Sequence, residues 1–304
     1  MAAARDGDRA SLARLISLVE RGGTVARGVG RLTHPAGGHA YTVGLTGAPG
    51  AGKSTLTDRL ITALRGAGAE VAVLAVDPSS PFSGGAILGD RVRMQGHAGD
   101  PGVFIRSMAT RGHLGGLALA TPEAIRVLDA TGFPVVLVET VGVGQVEIEV
   151  AGAADTTVVV VNPGWGDAVQ ASKAGLLEAA DLLVVNKADR PGADATVRDL
   201  ELMLDMDLHP GPWRPPVLRT VAATGEGVKE LWEAVGAHRA FQEDTGALER
   251  RRAGRVAEEV RAIVAHELGR RVDERCTGPA FEQATADVAA RRTDPWTAAE
   301  ALLD

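Results

Sequence analysis

Gly47-Ala48-Pro49-Gly50-Ala51-Gly52-Lys53-Ser54 has the spacing G-x-x-x-x-G-K-[ST] of a phosphate-binding loop. Each residue type answers a physical need. The glycines let backbone N–H groups turn inward around phosphate oxygens, Lys53 neutralises β/γ charge, and Ser54 can set its hydroxyl on Mg²⁺. The flanks agree: Tyr41-Thr42-Val43-Gly44-Leu45-Thr46 reads as a short buried strand leading in, and Ser54 to Arg65 reads as a helix leading out. Phosphate would then sit at a helix N-terminus, where the dipole already favours anions. Gly47 to Ser54, with Thr55 next in the helix, are the expected phosphate contacts.

A phosphate loop leaves the base undecided, and Asn186-Lys187-Ala188-Asp189 decides it. One carboxylate, Asp189, can accept from both N1–H and N2–H₂ of guanine, and adenine offers no such donor pair. Alone, the tetrapeptide reads as a capping turn after a strand. Paired with the phosphate loop it predicts GTP and GDP as ligands.

Around these motifs the chain alternates strand and helix. Val71 to Val76, Val103 to Arg106, Val135 to Glu139, Thr156 to Val161, Leu182 to Val185 and Val217 to Thr220 are short apolar runs separated by helix-length stretches. Near-continuous apolar strands are buried on both faces, which predicts an α/β fold: a P-loop core whose mostly parallel sheet is flanked by helices. Nucleotide belongs at the carboxyl ends of those strands. Three segments follow. Residues 1–40 form an N-terminal helical extension, with Leu12, Leu15, Ile16 and Val19 on one face of a helix that Gly22-Gly23 ends. Residues 41–238 form the nucleotide-binding domain, and 239–304 a helical tail too thin to bury a core alone, which must pack on the main domain or on a second copy. Arg250-Arg251-Arg252 tempts toward nucleic acid, but residues 239–275 hold nine arginines against eight acids. A solvated face laced with ion pairs is the simpler reading.

Composition narrows the function classes. Of 304 residues 45% are hydrophobic and only 3% aromatic, and the net charge is −7. The aromatic share and the charge argue against a nucleic-acid surface, which needs positive patches and stacking rings. The single cysteine, Cys276, excludes an internal disulfide and any multi-cysteine metal site. No apolar run is long enough to span a membrane, and Asp6 and Asp8 interrupt the start where a signal peptide would be apolar. A soluble cytoplasmic protein is expected.

Between the two motifs, Glu139-Thr140-Val141-Gly142 closes a strand where GTPases place the D-x-x-G that senses the γ-phosphate. Glu139 can reach Mg²⁺ directly or through water, and the Gly142 N–H can approach the phosphate because no side chain intervenes. At a strand end, a solvated Glu is the plain alternative. Asp77, after the second strand, and Asp90 are the other carboxylates placed to help with the metal, although Asp77 can equally cap the turn before Pro78. Val143 stands where a Ras-type enzyme carries its water-orienting Gln; Gln145 can substitute only through a different loop geometry, so slow intrinsic hydrolysis is expected. In Arg106-Ser107-Met108-Ala109-Thr110-Arg111-Gly112 the two arginines can hold phosphate or a partner, or simply face solvent.

The runs Asp77-Pro78-Ser79-Ser80-Pro81-Phe82-Ser83-Gly84-Gly85-Ala86-Ile87-Leu88-Gly89-Asp90-Arg91, Phe104 to Gly112 and Val138-Glu139-Thr140-Val141-Gly142-Val143-Gly144-Gln145 resemble the MeaB/MMAA family. The resemblance covers nearly the whole chain. It implies a P-loop GTPase of the metallochaperone group that chaperones adenosylcobalamin-dependent acyl-CoA mutases, methylmalonyl-CoA mutase above all. It implies that Asp77, Asp90 and Glu139 surround Mg²⁺ with Ser54, that Asn162 through Lys173 is a mobile loop answering nucleotide and mutase, and that the tail joins two subunits into a homodimer. This chain departs from the family pattern at Trp165, where a small residue is usual. It also carries Val221-Ala222-Ala223 in the second base-binding loop, where backbone N–H contacts to guanine O6 survive but a serine side chain is lost. Nickel insertion, known in related GTPases, would need imidazole or thiolate ligands at close spacing; His34 and His39 are the nearest pair, and loop histidines are the simpler reading. Phosphotransfer to a protein ranks last, since nothing resembles a base for activating a phosphoacceptor.

Overall fold

The computed structural model describes residues 1–78, 94–97, 99–110, 116–140, 152–164, 179–206 and 211–303. Each apolar run becomes a strand: β1 (Tyr41–Gly47), β2 (Val71–Pro78), β3 (Val103–Thr110), β4 (Val135–Thr140), β5 (Thr156–Val161), β6 (Leu182–Asn186) and β7 (Val217–Thr220). Among the described residues they make one sheet in the order β3-β2-β4-β1-β5-β6-β7, with every strand pairing parallel. The register pairs Leu45 with Glu139 and Gly47 with Val160, which brings the carboxyl ends of β1, β4 and β5 to one edge.

The helices are α1 (Ala2–Arg5), α2 (Arg9–Arg21), α3 (Gly23–Thr33), α4 (Lys53–Gly66), α5 (Gly116–Ala130), α6 (Ala193–Asp205), α7 (Val228–Thr245), α8 (Ala247–Arg275), α9 (Pro279–Ala289) and α10 (Pro295–Leu303). Strand side chains alternate between two cores, as a period of two requires. Val71, Val73, Val135 and Leu137 join the core with Leu56, Leu60 and Ile61 of α4 and Leu231 and Val235 of α7. Ala72, Leu74, Val136 and Val138 join Leu12, Ile16 and Val19 of α2, Val29 of α3, and Val127 and Leu128 of α5. The amphipathic N-terminal helix therefore covers one face of the sheet, with each fully buried aliphatic side chain worth ~1.5–3 kcal/mol. Asp8 starts it, accepting from Ala10 N and Ser11 N, and Gly22 ends it at φ 70°. Helix α3, which the sequence pattern did not announce, follows at once.

Contacts divide the chain into two compact units, Met1–Arg255 and Val256–Asp304. The first therefore continues past residue 238. It includes α7 and the start of α8, where Gln242 and Leu248 are buried. The solvated, ion-paired face that composition suggested holds for Arg239 with Glu243, Arg261 with Glu258 and Arg270 with Glu267 and Glu274, but not for Arg251, Arg252 and Arg255. Arg252 donates to both oxygens of Asp155, at 3.1 and 2.8 Å, and Arg255 pairs with the same carboxylate. Arg251 forks onto Asp181 at 2.7 and 3.0 Å. Both aspartates are buried just before β5 and β6, where they also accept from Thr42 N and Thr157 N. Charge count alone could not reveal that depth.

The second unit holds the rest of α8 with α9 and α10, which border an open apolar hollow of about 520 Å³ lined by Val272, Phe281, Val288 and Leu302 among others. Val256, Val260, Ile263, Val264 and Leu268 recur along α8 at helical spacing and are exposed. No helix among the described residues is long and apolar enough to cross a membrane.

Candidate nucleotide site

The loop between β1 and α4 turns where glycine alone fits. Gly47 sits at φ 129°, and a Cβ there would lie 2.0 Å from Val160 O; at Gly52, φ 92°, a Cβ would lie 2.4 Å from Asn186 Nδ2. The chain then enters α4 directly at Lys53, so Lys53, Ser54 and Thr55 form the helix's first turn, at the end where the dipole favours anions. Lys53 is buried, and its Nζ donates to Gly47 O at 2.7 Å and Ala48 O at 3.2 Å, which folds the ammonium back over the loop. Ser54 Oγ donates to Glu139 Oε1 at 2.6 Å, and Glu139 is wholly buried at the end of β4. Beside them Thr140 Oγ1 donates to Thr46 Oγ1 at 3.2 Å, tying β4 to β1 just below the loop.

Two strands away, Asn186 and Lys187 hold the same loop. Asn186 Nδ2 donates to Ala51 O at 2.7 Å and Lys187 Nζ to Gly50 O at 2.6 Å. Asn186 Oδ1 in turn accepts from Thr220 Oγ1 at 3.1 Å and from Ala222 N at 3.0 Å. One amide thus joins the phosphate loop, β7 and the loop that follows it. Lys187 takes a left-handed φ of 57°, and Asp189 beyond it is exposed. Helix α6 begins only at Ala193, with Gly192 as its cap and no side-chain capping bond, so the tetrapeptide is not a helix cap.

Residues Gly47 to Thr55, Glu139, Asn186, Lys187, Asp189, Ala222 and Ala223 therefore gather at the carboxyl edge of the sheet. Asp77 lies at the end of β2, two positions beyond Ala75, the register partner of Glu139. Asp90, Gly142, Gln145 and Lys173 lie outside the described residues, as do Arg111, Val143 and Trp165. Arg106 corrects the sequence reading. Its Nη2 donates to Ser17 Oγ at 2.8 Å and to Glu20 at 2.5 Å, so this arginine fastens α2 to β3 and is not offered to phosphate. Sequence reasoning missed Arg59 of α4, whose Nε and Nη2 donate to Ala222 O at 3.1 Å and Ala223 O at 3.0 Å. No motif contains it, and its partners lie 163 and 164 residues further along the chain, so no local signal marks it.

The oxygen donors Ser54 Oγ and Glu139 Oε1, adjacent beside a phosphate loop, fit Mg²⁺, a hard cation that takes one or two protein oxygens plus phosphate and water.

A parallel sheet opening from its central strand into a phosphate loop, with Asn-Lys-x-Asp braced against that loop from two strands away, defines a P-loop GTPase. The model of one GTPase family, methylmalonyl Co-A mutase-associated GTPase MeaB, matches residues 12–277, and the chain belongs to that family. A Pyrococcus abyssi protein whose name places it among GTPases is 52% identical over 302 residues, covering 98% of this chain and 93% of its own. GTPase ArgK of Escherichia coli is 40% identical over 240 residues, 76% of this chain and 72% of ArgK. Among solved structures, a crystal structure of an LAO/AO transport system kinase superposes with a TM-score of 0.73 at 28% identity, covering 98% of this chain and 93% of that one. The protein is a GTP hydrolase.

Proposed function

We propose that this GTPase gates adenosylcobalamin loading into a cobalamin-dependent acyl-CoA mutase, methylmalonyl-CoA mutase before others, and protects that enzyme in the cytoplasm. The observation that carries this reading is the match of the family model over residues 12–277, nearly the whole chain and not the nucleotide motifs alone. The site supports the switch half of the function. Lys53 neutralises the β/γ-phosphates, the first-turn amides of α4 hold their oxygens, Asp189 reads the guanine edge and the backbone of Ala222-Ala223 faces O6. Ser54, Asp77, Asp90 and Glu139 are the residues that would hold Mg²⁺, which supplies charge neutralisation at the phosphates when bound. Gly142 senses the γ-phosphate, Gln145 assists water, and Lys173 belongs to the loop that answers the mutase.

Val143 in place of a water-orienting Gln leaves attack poorly organised until a partner orders the site. Assistance of that kind reaches ~10³–10⁵-fold in other GTPases. Single-turnover hydrolysis by the isolated protein is therefore expected to be slow and to rise at least ~10-fold with the cognate mutase, roughly 1.4 kcal/mol of barrier. Lys173→Ala blunts that rise while leaving GTP affinity nearly intact. Equal rates with and without mutase reject the partner-activated switch.

The second unit supplies the homodimer contact, since the apolar stripe of α8 has no cover of its own in the chain's described residues. Where the chain is cut matters. Removing residues 239–304 would take Gln242, Leu248 and the Asp155 and Asp181 arginines out of the core, whereas a stop after Arg255 keeps the first unit whole. The shorter truncation should give a monomer that still binds GDP. Light scattering that shows an unchanged dimer would rule out the arm.

A further inference from the structure

Arg59 spans two successive carbonyls of the loop after β7, Nε to Ala222 O at 3.1 Å and Nη2 to Ala223 O at 3.0 Å. The planar fork of a guanidinium suits this, because its donors leave in fixed directions within one plane. Ala222 C=O and Ala223 N–H belong to the same peptide unit. A trans peptide is planar and points its C=O and N–H in opposite directions, so holding that carbonyl toward α4 turns the Ala223 N–H away from α4.

The other amides of the turn are committed. Val221 N donates to Glu226 O at 3.0 Å, Thr224 N and Gly225 N to Val221 O at 3.0 and 2.9 Å, and Ala222 N to Asn186 Oδ1 at 3.0 Å. The Ala223 N–H has no acceptor among the described residues. Both side chains of the pair are methyl groups, so the backbone is the loop's whole hydrogen-bonding resource at this point. We propose that Arg59 is a positioning residue for base recognition, aiming the Ala223 N–H at the carbonyl oxygen on C6 of the purine. The proposal rests on the guanine-reading site described above. It adds that the helix beginning with Lys53 and Ser54 also sets the geometry of the base loop, so phosphate and base recognition share one rigid element.

The test measures affinities of wild type, Arg59→Ala and Arg59→Met for three nucleotides: GDP, inosine diphosphate, which lacks the 2-amino group, and 6-thioguanosine diphosphate, which keeps N1–H and the 2-amino group but offers sulfur, a weak acceptor, at C6. Arg59→Met keeps the apolar stem and guards against a packing defect. A misaimed backbone donor should cost GDP and inosine diphosphate about 3–10-fold each in both variants, and 6-thioguanosine diphosphate under about twofold. The preference for GDP over the thio analogue shrinks while the preference for GDP over inosine diphosphate persists. If the variants weaken GDP and its thio analogue equally, or leave GDP binding unchanged, the assignment of Arg59 is overturned with base reading intact. A wild type that binds GDP and inosine diphosphate equally well overturns the guanine-reading site, and the proposal with it.

Discussion

Asp155→Ala is expected to lower the free energy of unfolding by about 3 kcal/mol, seen as a lower urea midpoint with an unchanged slope. The carboxylate is 1% exposed and faces Arg252 and Arg255, themselves 30% and 24% exposed. Removing it leaves two guanidinium groups beside a buried gap. Breaking a buried pair costs ~3–5 kcal/mol, and the partial hydration of both arginines sets this case at the lower end. Acid gives a second reading of the same contact. Burial alone would raise the Asp155 carboxyl, but Arg252 and Arg255 more than reverse that and hold it at about 2, below its ordinary 3.8. The folded state thus favours the charged form, so the stabilisation is complete above about pH 4 and disappears as pH falls through about 2. That difference is worth roughly 2–3 kcal/mol at neutral pH. Wild-type and Asp155→Ala stabilities should therefore converge between about pH 4 and pH 2; parallel curves would contradict the assignment.

Asp189→Asn is expected to weaken GTP and GDP binding by ~30–1000-fold, the ~2–4 kcal/mol of a charge-assisted bidentate contact. The amide keeps one acceptor and turns N–H donors toward guanine's own donors. Because Asp189 is exposed and the phosphate loop is held by Asn186 and Lys187, melting of the nucleotide-free variant should match wild type. Unchanged nucleotide affinity would mean that another residue reads the base.

The strands were legible because a parallel sheet covered on both faces writes itself as short Val- and Leu-rich runs, and the nucleotide motifs because each is a local spacing with a local job. Contacts between distant segments were not legible. Arg106 reads as a loose cation until Glu20, 86 residues earlier, is seen beside it. Arg251 and Arg252 read as surface charge until Asp181 and Asp155 appear beneath them. Helix α3 escaped because Gly23, Gly28 and Gly30 lower its intrinsic propensity, and packing of Val29 against the α2 layer holds it instead. Arg59 is an ordinary helix residue by every local rule. Asp90, Gly142, Gln145 and Lys173 rest on sequence alone.

The placing of the counter-charges for Asp155 and Asp181 also has a meaning for synthesis. A ribosome finishes the phosphate loop at Ser54, the loop after β7 at Ala223, and the arginines only at Arg255. At ~5–20 residues per second, about 10–40 s separate the first of these events from the last. A nascent chain halted between Ala223 and Arg251 owns β1 to β7 and both buried aspartates but none of the three guanidinium groups of Arg251, Arg252 and Arg255 that pair with them. The central sheet therefore cannot reach its final stability until the first turns of α8 have left the exit tunnel, and nucleotide offered earlier meets a site on an unfinished foundation.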